Sequence, residues 1–440
     1  MARLHVWKQG TPLVGTVAAP GDKSISHRAV MLAALAEGES LIRHWLPAGD
    51  TLATLAAAWA LGVEITAQPI SPQSWELMVR GRGLYGLQMP AQPVDCANAG
   101  TCLRLLAGIL CGQPFTSVLD GSAQLRRRPM RRITAPLRQM GAAISDQDGR
   151  APLIIQPAPL HGIRYEMPVA SAQVKSAILL AGLYAAGETA VYQPGPARDH
   201  TERMLRHMGL ELLEMDGWVA LPSQTIHLQP LVLDVPADIS SAAFVLAAAG
   251  VVPHSQVTLT AVGVNPTRTG ILDVMAAMGA AVIVTAERAA GAGEPVADLT
   301  VSYSQWRGVE IGGDLVVRAI DEFPILAVAA TQAAGATVVR DAAELRVKEV
   351  DRISVLAGEL AKMGAVMEER ADGFAIRGPQ RLRGARVDSH EDHRLGMALA
   401  VAGLAAEGET VVENAACVAD SFPGFVETMQ GLGGNMRWGE

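Results

Sequence analysis

Two kinds of apolar segment alternate along the chain, and the alternation recurs six times. The first is an apolar helix, closed by a glycine or a short turn and followed by a β-branched strand. It falls at residues 28–42, 101–118, 171–192, 240–259, 323–339 and 393–412, most clearly at 180–189 and 401–410. The first of these helices is predicted over 26–37, with Asp22 or Ser24 as its cap. The second kind is an amphipathic helix that stops at a glycine and returns as a strand. The stopping glycines are Gly62, Gly141, Gly209, Gly279, Gly364 and Gly433. Glycine in that place predicts a left-handed cap. One pair of segments takes roughly 70–85 residues, the length of a βαβαββ unit and too long for a solenoid repeat.

Six such units predict an α/β protein of two domains with three units each. Asp234-Val235-Pro236-Ala237-Asp238, between the third and fourth units, reads as a crossover near 234–238. The other crossover falls near 20–22, at Pro20-Gly21-Asp22, if the N-terminal strand packs with the C-terminal half. The domains are then residues 22–236, as an inserted body, and residues 1–21 plus 237–440.

Composition narrows the class. A chain of 440 residues exceeds one compact core. Half of the residues are hydrophobic but only 4% are aromatic, so the interior is built of Ala, Leu, Val, Ile and Met, which suits helices packed closely on sheets. A net charge of −8 argues against nonspecific nucleic-acid binding, and any anion site must be local. Cys96, Cys102, Cys111 and Cys417 have no metal-binding or redox spacing and read as reduced thiols. No apolar run has membrane-spanning length, and the N-terminus has no leader character. A cytoplasmic protein is expected.

The candidate chemistry sits where the apolar helices begin. Lys23, Ser24 and Arg28 gather at the first start, Asn98-Ala99-Gly100-Thr101 with Arg104 at the second, and Ser171-Ala172-Gln173 with Lys175 at the third. Helix starts carry free N–H groups and partial positive charge, so cations and hydroxyls placed there make phosphate seats. The run Arg126-Arg127-Arg128-Pro129-Met130-Arg131-Arg132 lies between them, and Pro129 can aim Arg128 inward. The C-terminal half adds Asp321-Glu322, the stretch 346–352 and the stretch 388–394. Lys348, Glu349 and Arg352 would share a face if helical. His390 and His393 with Glu391 and Asp392 read as a capping cluster that aims Arg394 at an anion, rather than as a metal site. Two anion sites follow, one from Lys23, Ser24, Arg28, Ser171 and Gln173, the other from Lys348, Arg352 and Arg394. Asp321 and Glu349 are candidates for proton transfer. A cleft between halves lined by helix starts would bring two phosphorylated or carboxylated small molecules together.

These motifs, in order over nearly the whole chain, resemble the 5-enolpyruvylshikimate-3-phosphate synthase family of enolpyruvyl transferases: residues 20–28, 98–101, 128–130, 171–176, 346–352 and 392–394. The resemblance implies an inside-out α/β architecture with two crossovers. It implies transfer of the enolpyruvyl group of phosphoenolpyruvate to the 5-hydroxyl of shikimate 3-phosphate, with no metal or organic cofactor, by a monomer. Carried over by motif, Lys23, Ser24, Arg28, Ser171, Ala172, Gln173, Asp321 and Lys348 hold shikimate 3-phosphate. Arg198, within Arg198-Asp199-His200-Thr201, adds to its phosphate seat, as in one bacterial branch. Lys23, Gly100, Arg128, Gln173, Arg352 and Arg394 hold phosphoenolpyruvate. Asp321 takes the hydroxyl proton, and Glu349 and Lys23 serve the methylene carbon. Ala172 stands where some members have serine, and Asp420 where some have a lysine. Gly100 leaves room for glyphosate. The rival within the fold, a transferase acting on a UDP-amino sugar, usually carries a reactive cysteine in a short loop, and no cysteine here is so placed. A phosphometabolite binder without turnover would have little use for Asp321 and Glu349 beside its cations.

Overall fold

In the computed structural model, which describes residues 2–439, the apolar runs form six helices buried on nearly every side. Lys23–Leu35, Gly100–Leu110 and Ala172–Gly182 belong to one compact unit. Ile239–Val251, Phe323–Gln332 and His393–Ala405 belong to the other. Apolar side chains point all the way round such helices, so they sit inside rather than on the surface. In His393–Ala405 every residue from His393 to Leu404 is buried. The first helix begins three residues before the predicted start. The Asp22 carboxylate accepts from the backbone N–H of Ile25 at 2.9 Å, and this cap draws Lys23 and Ser24 into the first turn.

The second helices are Gly49–Ala60, Arg131–Gln139, His200–His207, Gly270–Ala277, Arg352–Lys362 and Phe425–Gly431. Each ends at a glycine with φ between +80° and +99°: Gly62, Gly141, Gly209, Gly279, Gly364 and Gly433. The N–H after the glycine reaches back five residues, as in Val63 to Ala58 O at 3.0 Å and Ala280 to Met275 O at 2.9 Å. This satisfies a terminal carbonyl and turns the chain into its strand.

The described strands form six four-stranded sheets on one plan. A short parallel edge strand lies beside a longer strand, which pairs antiparallel with a third and through it with a fourth. Val94–Asp95, Ser117–Asp120, Arg150–Gln156 and Ala143–Gln147 are one such set. Three strands come from far along the chain. Val232–Asp234 lies parallel to Glu39–Trp45. Val14–Val17 lies parallel to Gln256–Gly263. Leu4–Trp7 sits between Glu409–Glu413 and Met436–Trp438, antiparallel to both.

One unit comprises Met1–Pro20, Pro236–Arg288 and Pro295–Glu440, the other Gly21–Val235 and Ala289–Glu294. Each has its own hydrophobic core. The short piece 289–294 departs from a reading that keeps 237–440 in one body. Ala292 is buried in the core of the Gly21–Val235 unit, and Arg203 Nη1 donates to Gly293 O at 2.7 Å. Among the described residues no helix is long and apolar enough to cross a membrane.

Candidate functional site

In the Gly21–Val235 unit the three buried helices bring their starts together. Arg28, itself 3% exposed, donates from Nη2 to Ser176 Oγ at 3.0 Å, from Nη1 to Ser24 O at 3.0 Å and from Nε to Thr201 Oγ1 at 2.8 Å. Gln173 donates to Thr101 Oγ1 at 2.9 Å and accepts from Arg104 Nη1 at 2.6 Å. Ser171 caps the Ala172–Gly182 helix at the N–H of Val174, and Ala172 is its first residue. Arg198 Nη1 reaches Ser24 Oγ at 3.4 Å. Lys23 Nζ lies 3.0 Å from Asp50 Oδ2.

Gly100 sits against two guanidinium groups. A Cβ there would fall 2.9 Å from both Arg104 Nη1 and Arg128 Nη1. Arg128 is extended, as the residue before proline must be, and partly buried. Its neighbours Arg126, Arg127 and Arg131 are exposed, and Arg126 pairs with Asp120. Lys23, Ser24, Arg28, Gly100, Arg128, Ser171, Ala172, Gln173 and Arg198 therefore gather around three helix starts. Five cations (Lys23, Arg28, Arg104, Arg128 and Arg198) lie around these starts, Lys23 paired with Asp50, and the helix ends add to the positive potential.

The other unit gathers the remaining predicted residues around Asp321. Lys348 Nζ and Arg352 Nη1 each lie 3.6 Å from Asp321 Oδ1, and Arg394 Nη2 lies 3.6 Å from Oδ2. Arg394 also donates to the backbone oxygen of Asp321 at 3.1 Å. Glu349 accepts from Arg352 Nη2 at 2.6 Å.

The three residues of the 346–352 stretch do not share a helical face. Ala343–Val347 is a 3-10 turn, Lys348 is extended, and the helix starts only at Arg352. Asp351 stops it there by accepting from the N–H groups of Ile353 and Ser354, both at 3.1 Å. Asp392 caps the His393–Ala405 helix at the N–H of Arg394, 2.9 Å away, and takes Arg352 Nε at 2.8 Å. His390 Nε2 turns to Glu359 Oε1 at 2.8 Å, away from any ligand set with His393. Asp199, His200 and Glu294 bring three possible ligand atoms within 4.8 Å of one another. Asp199 pairs there with Arg203, and His200 Nδ1 lies 2.7 Å from Glu294 Oε1, so each of the three has a partner within the chain.

Burial lowers the Lys348 ammonium below its ordinary range, against the pull of Asp321. Burial also opposes the Arg352 charge, but Asp392, Glu349 and Asp321 outweigh it and hold the guanidinium protonated. The cluster thus offers carboxylates able to take a proton beside cations that favour an anion. Asp50 as the partner of Lys23, and Asp392 as that of Arg352, left no mark in local spacing. Each pair joins residues far apart in sequence.

The family model for EPSP synthase (3-phosphoshikimate 1-carboxyvinyltransferase) matches residues 7–429. A 3-phosphoshikimate 1-carboxyvinyltransferase of Acidithiobacillus ferrooxidans is 53% identical over 429 residues, covering 98% of each chain. One from Pelotomaculum thermopropionicum is 52% identical, covering 97% of this chain and 98% of its own. Among solved structures, EPSP synthase from Acinetobacter baumannii superposes with a TM-score of 0.88 at 42% identity over the full length of both chains. The chain belongs to the EPSP synthase (3-phosphoshikimate 1-carboxyvinyltransferase) family.

Proposed function

We propose that the residues above carry the 3-phosphoshikimate 1-carboxyvinyltransferase reaction. The enolpyruvyl group of phosphoenolpyruvate passes to the 5-hydroxyl of shikimate 3-phosphate, and phosphate leaves. The observation that carries this reading is family membership across residues 7–429, at 53% identity to a named relative.

The residues divide by the substrate they hold. Lys23, Ser24, Arg28, Ser171, Ala172, Gln173, Arg198, Asp321 and Lys348 take shikimate 3-phosphate. Lys23, Gly100, Arg128, Gln173, Arg352 and Arg394 take phosphoenolpyruvate. In the addition step the 5-oxygen bonds to C2 of phosphoenolpyruvate, its proton passes to Asp321, and the methylene carbon takes a proton from Lys23 or Glu349. In the elimination step the tetrahedral phospho-ketal returns a methyl proton to Lys23 or Glu349 as its C–O bond to phosphate breaks and phosphate leaves. Cations stabilise the charge that develops, and carboxylates move the protons.

Phosphate release from phosphoenolpyruvate tests the reading. Release that depends on shikimate 3-phosphate is expected, and release with either substrate alone, or none with both, would overturn it. We also expect a monomer that works in the cytoplasm, where its four buried thiols stay reduced. Glyphosate, a small phosphonate and carboxylate anion, is expected to compete with phosphoenolpyruvate beside Gly100. Turnover that ignores millimolar glyphosate at low phosphoenolpyruvate would remove that expectation.

A further inference from the structure

Lys175 lies inside the Ala172–Gly182 helix with no exposed surface, and the steps above do not use it. Its Nζ lies 2.5 Å from Glu202 Oε1, and both side chains are fully buried. It also donates to Gln193 Oε1 at 2.8 Å and to Ala197 O at 3.3 Å. Gln193 and Ala197 lie in residues 193–199, which join the strand Thr189–Tyr192 to the helix His200–His207, and Glu202 lies in the first turn of that helix. Burying an ammonium and a carboxylate costs several kcal/mol, and an apolar pair often serves stability as well or better. What the pair adds is direction, because two hydrogen-bond acceptors and one carboxylate from residues 193–202 converge on a single cation.

The same segment is tied down residue by residue. Asp199 takes Arg203 Nε at 2.8 Å, His200 meets Glu294 at 2.7 Å, and Thr201 meets Ser176 Oγ at 2.7 Å as well as Arg28. Arg198 lies in the middle of this run and turns to Ser24 at the start of the Lys23–Leu35 helix.

We propose that Lys175 is a positioning residue that orders residues 193–202 so that the Arg198 guanidinium meets the phosphate of shikimate 3-phosphate. This rests on the reading of Arg198 as a phosphate ligand.

The test uses the full-length enzyme and two variants. The double change Lys175→Met with Glu202→Gln removes both buried charges together. Gln193→Ala removes one acceptor from a partly exposed residue and keeps the pair, so it serves if the double variant does not fold. A charge-assisted hydrogen bond lost through Arg198 should raise KM for shikimate 3-phosphate about tenfold in the double variant. The Gln193→Ala variant should show a smaller rise. The KM for phosphoenolpyruvate and kcat should stay within about twofold, a split that general loosening of the fold would not give. Adding Gln193→Ala to Arg198→Ala should change nothing further, because the guanidinium being positioned is gone.

An unchanged KM for shikimate 3-phosphate in folded variants would overturn the proposal, as would an equal rise for both substrates or effects that add. Should Arg198→Ala alone leave that KM unchanged, the phosphate reading of Arg198 fails and the positioning role falls with it. If Arg198→Ala raises it while both other variants do not, only the positioning role fails.

Discussion

Asp321 has three cations at 3.6 Å and is 14% exposed, so its charge is offset while an edge stays accessible. Asp321→Asn keeps the shape and removes the base. The expected result is a fall in kcat of about 10²–10⁴-fold. The KM for shikimate 3-phosphate should hold steady or drop, because Lys348 would face that substrate without the competing Asp321 carboxylate. Steady-state kinetics decides the matter, and an undiminished kcat would remove Asp321 from proton transfer. His27 makes a different point. It is fully buried, accepts or donates only at Nδ1, 2.6 Å from Thr54 Oγ1, and has no hydrogen-bond partner at Nε2. Burial lowers its pKa from 6.5 to about 3, and Lys23 and Arg28 push the same way while Asp50 opposes them. Between those pH values the unfolded chain takes up a proton that the folded chain refuses, so stability falls as pH drops through that window. Urea midpoints measured from pH 7 to pH 4 should decline, and His27→Gln should flatten the decline. An equal slope in the variant would clear His27 of the effect.

Helix ends hold most of the candidate site, and their caps serve structure and function at once. Asp392 is the clearest case, because one fully buried carboxylate caps the His393–Ala405 helix and neutralises Arg352. Asp392→Ala leaves a guanidinium that is 2% exposed without its one fully buried counter-ion among the described residues. The expected loss is about 3–5 kcal/mol, read as a lower urea midpoint for that unit's transition. A loss below about 1 kcal/mol would mean that Glu349 and Asp321 suffice. The six terminal glycines were legible because a left-handed cap needs only six consecutive residues. The conformation of Lys348 and Glu349 was not. The charge spacing from Lys348 to Arg352 suits a helix, but the Asp351 cap outweighs it by satisfying two N–H groups at once.

At the scale of the molecule, the chain runs through one unit as a single stretch, Gly21–Val235, and returns to it only for Ala289–Glu294. The core of that unit draws almost wholly on the single stretch, Ala292 being the exception. A fragment of residues 21–235 should therefore fold alone, with a cooperative urea transition and a midpoint raised by shikimate 3-phosphate. A fragment that shows no cooperative transition would make the 289–294 piece essential to the unit. The remaining stretches cannot be separated so simply, because Leu4–Trp7 fills an interior place in the last sheet between strands from the far end of the chain.

The repeat of apolar helix, glycine and strand, the helix starts rich in cations, and the family resemblance could all be read along the chain. Each is assembled from short motifs whose residues lie within a few positions of one another, where backbone caps and side-chain periodicity act. The partners could not be read in this way: Lys23 with Asp50, Arg28 with Ser176 and Thr201, Lys175 with Glu202, Arg352 with Asp392, and His200 with Glu294. A charged side chain has many acceptors of suitable chemistry in its sequence. Which one it meets is set by how buried helices from separate repeats pack, and that packing minimises exposed apolar surface without regard to distance along the chain.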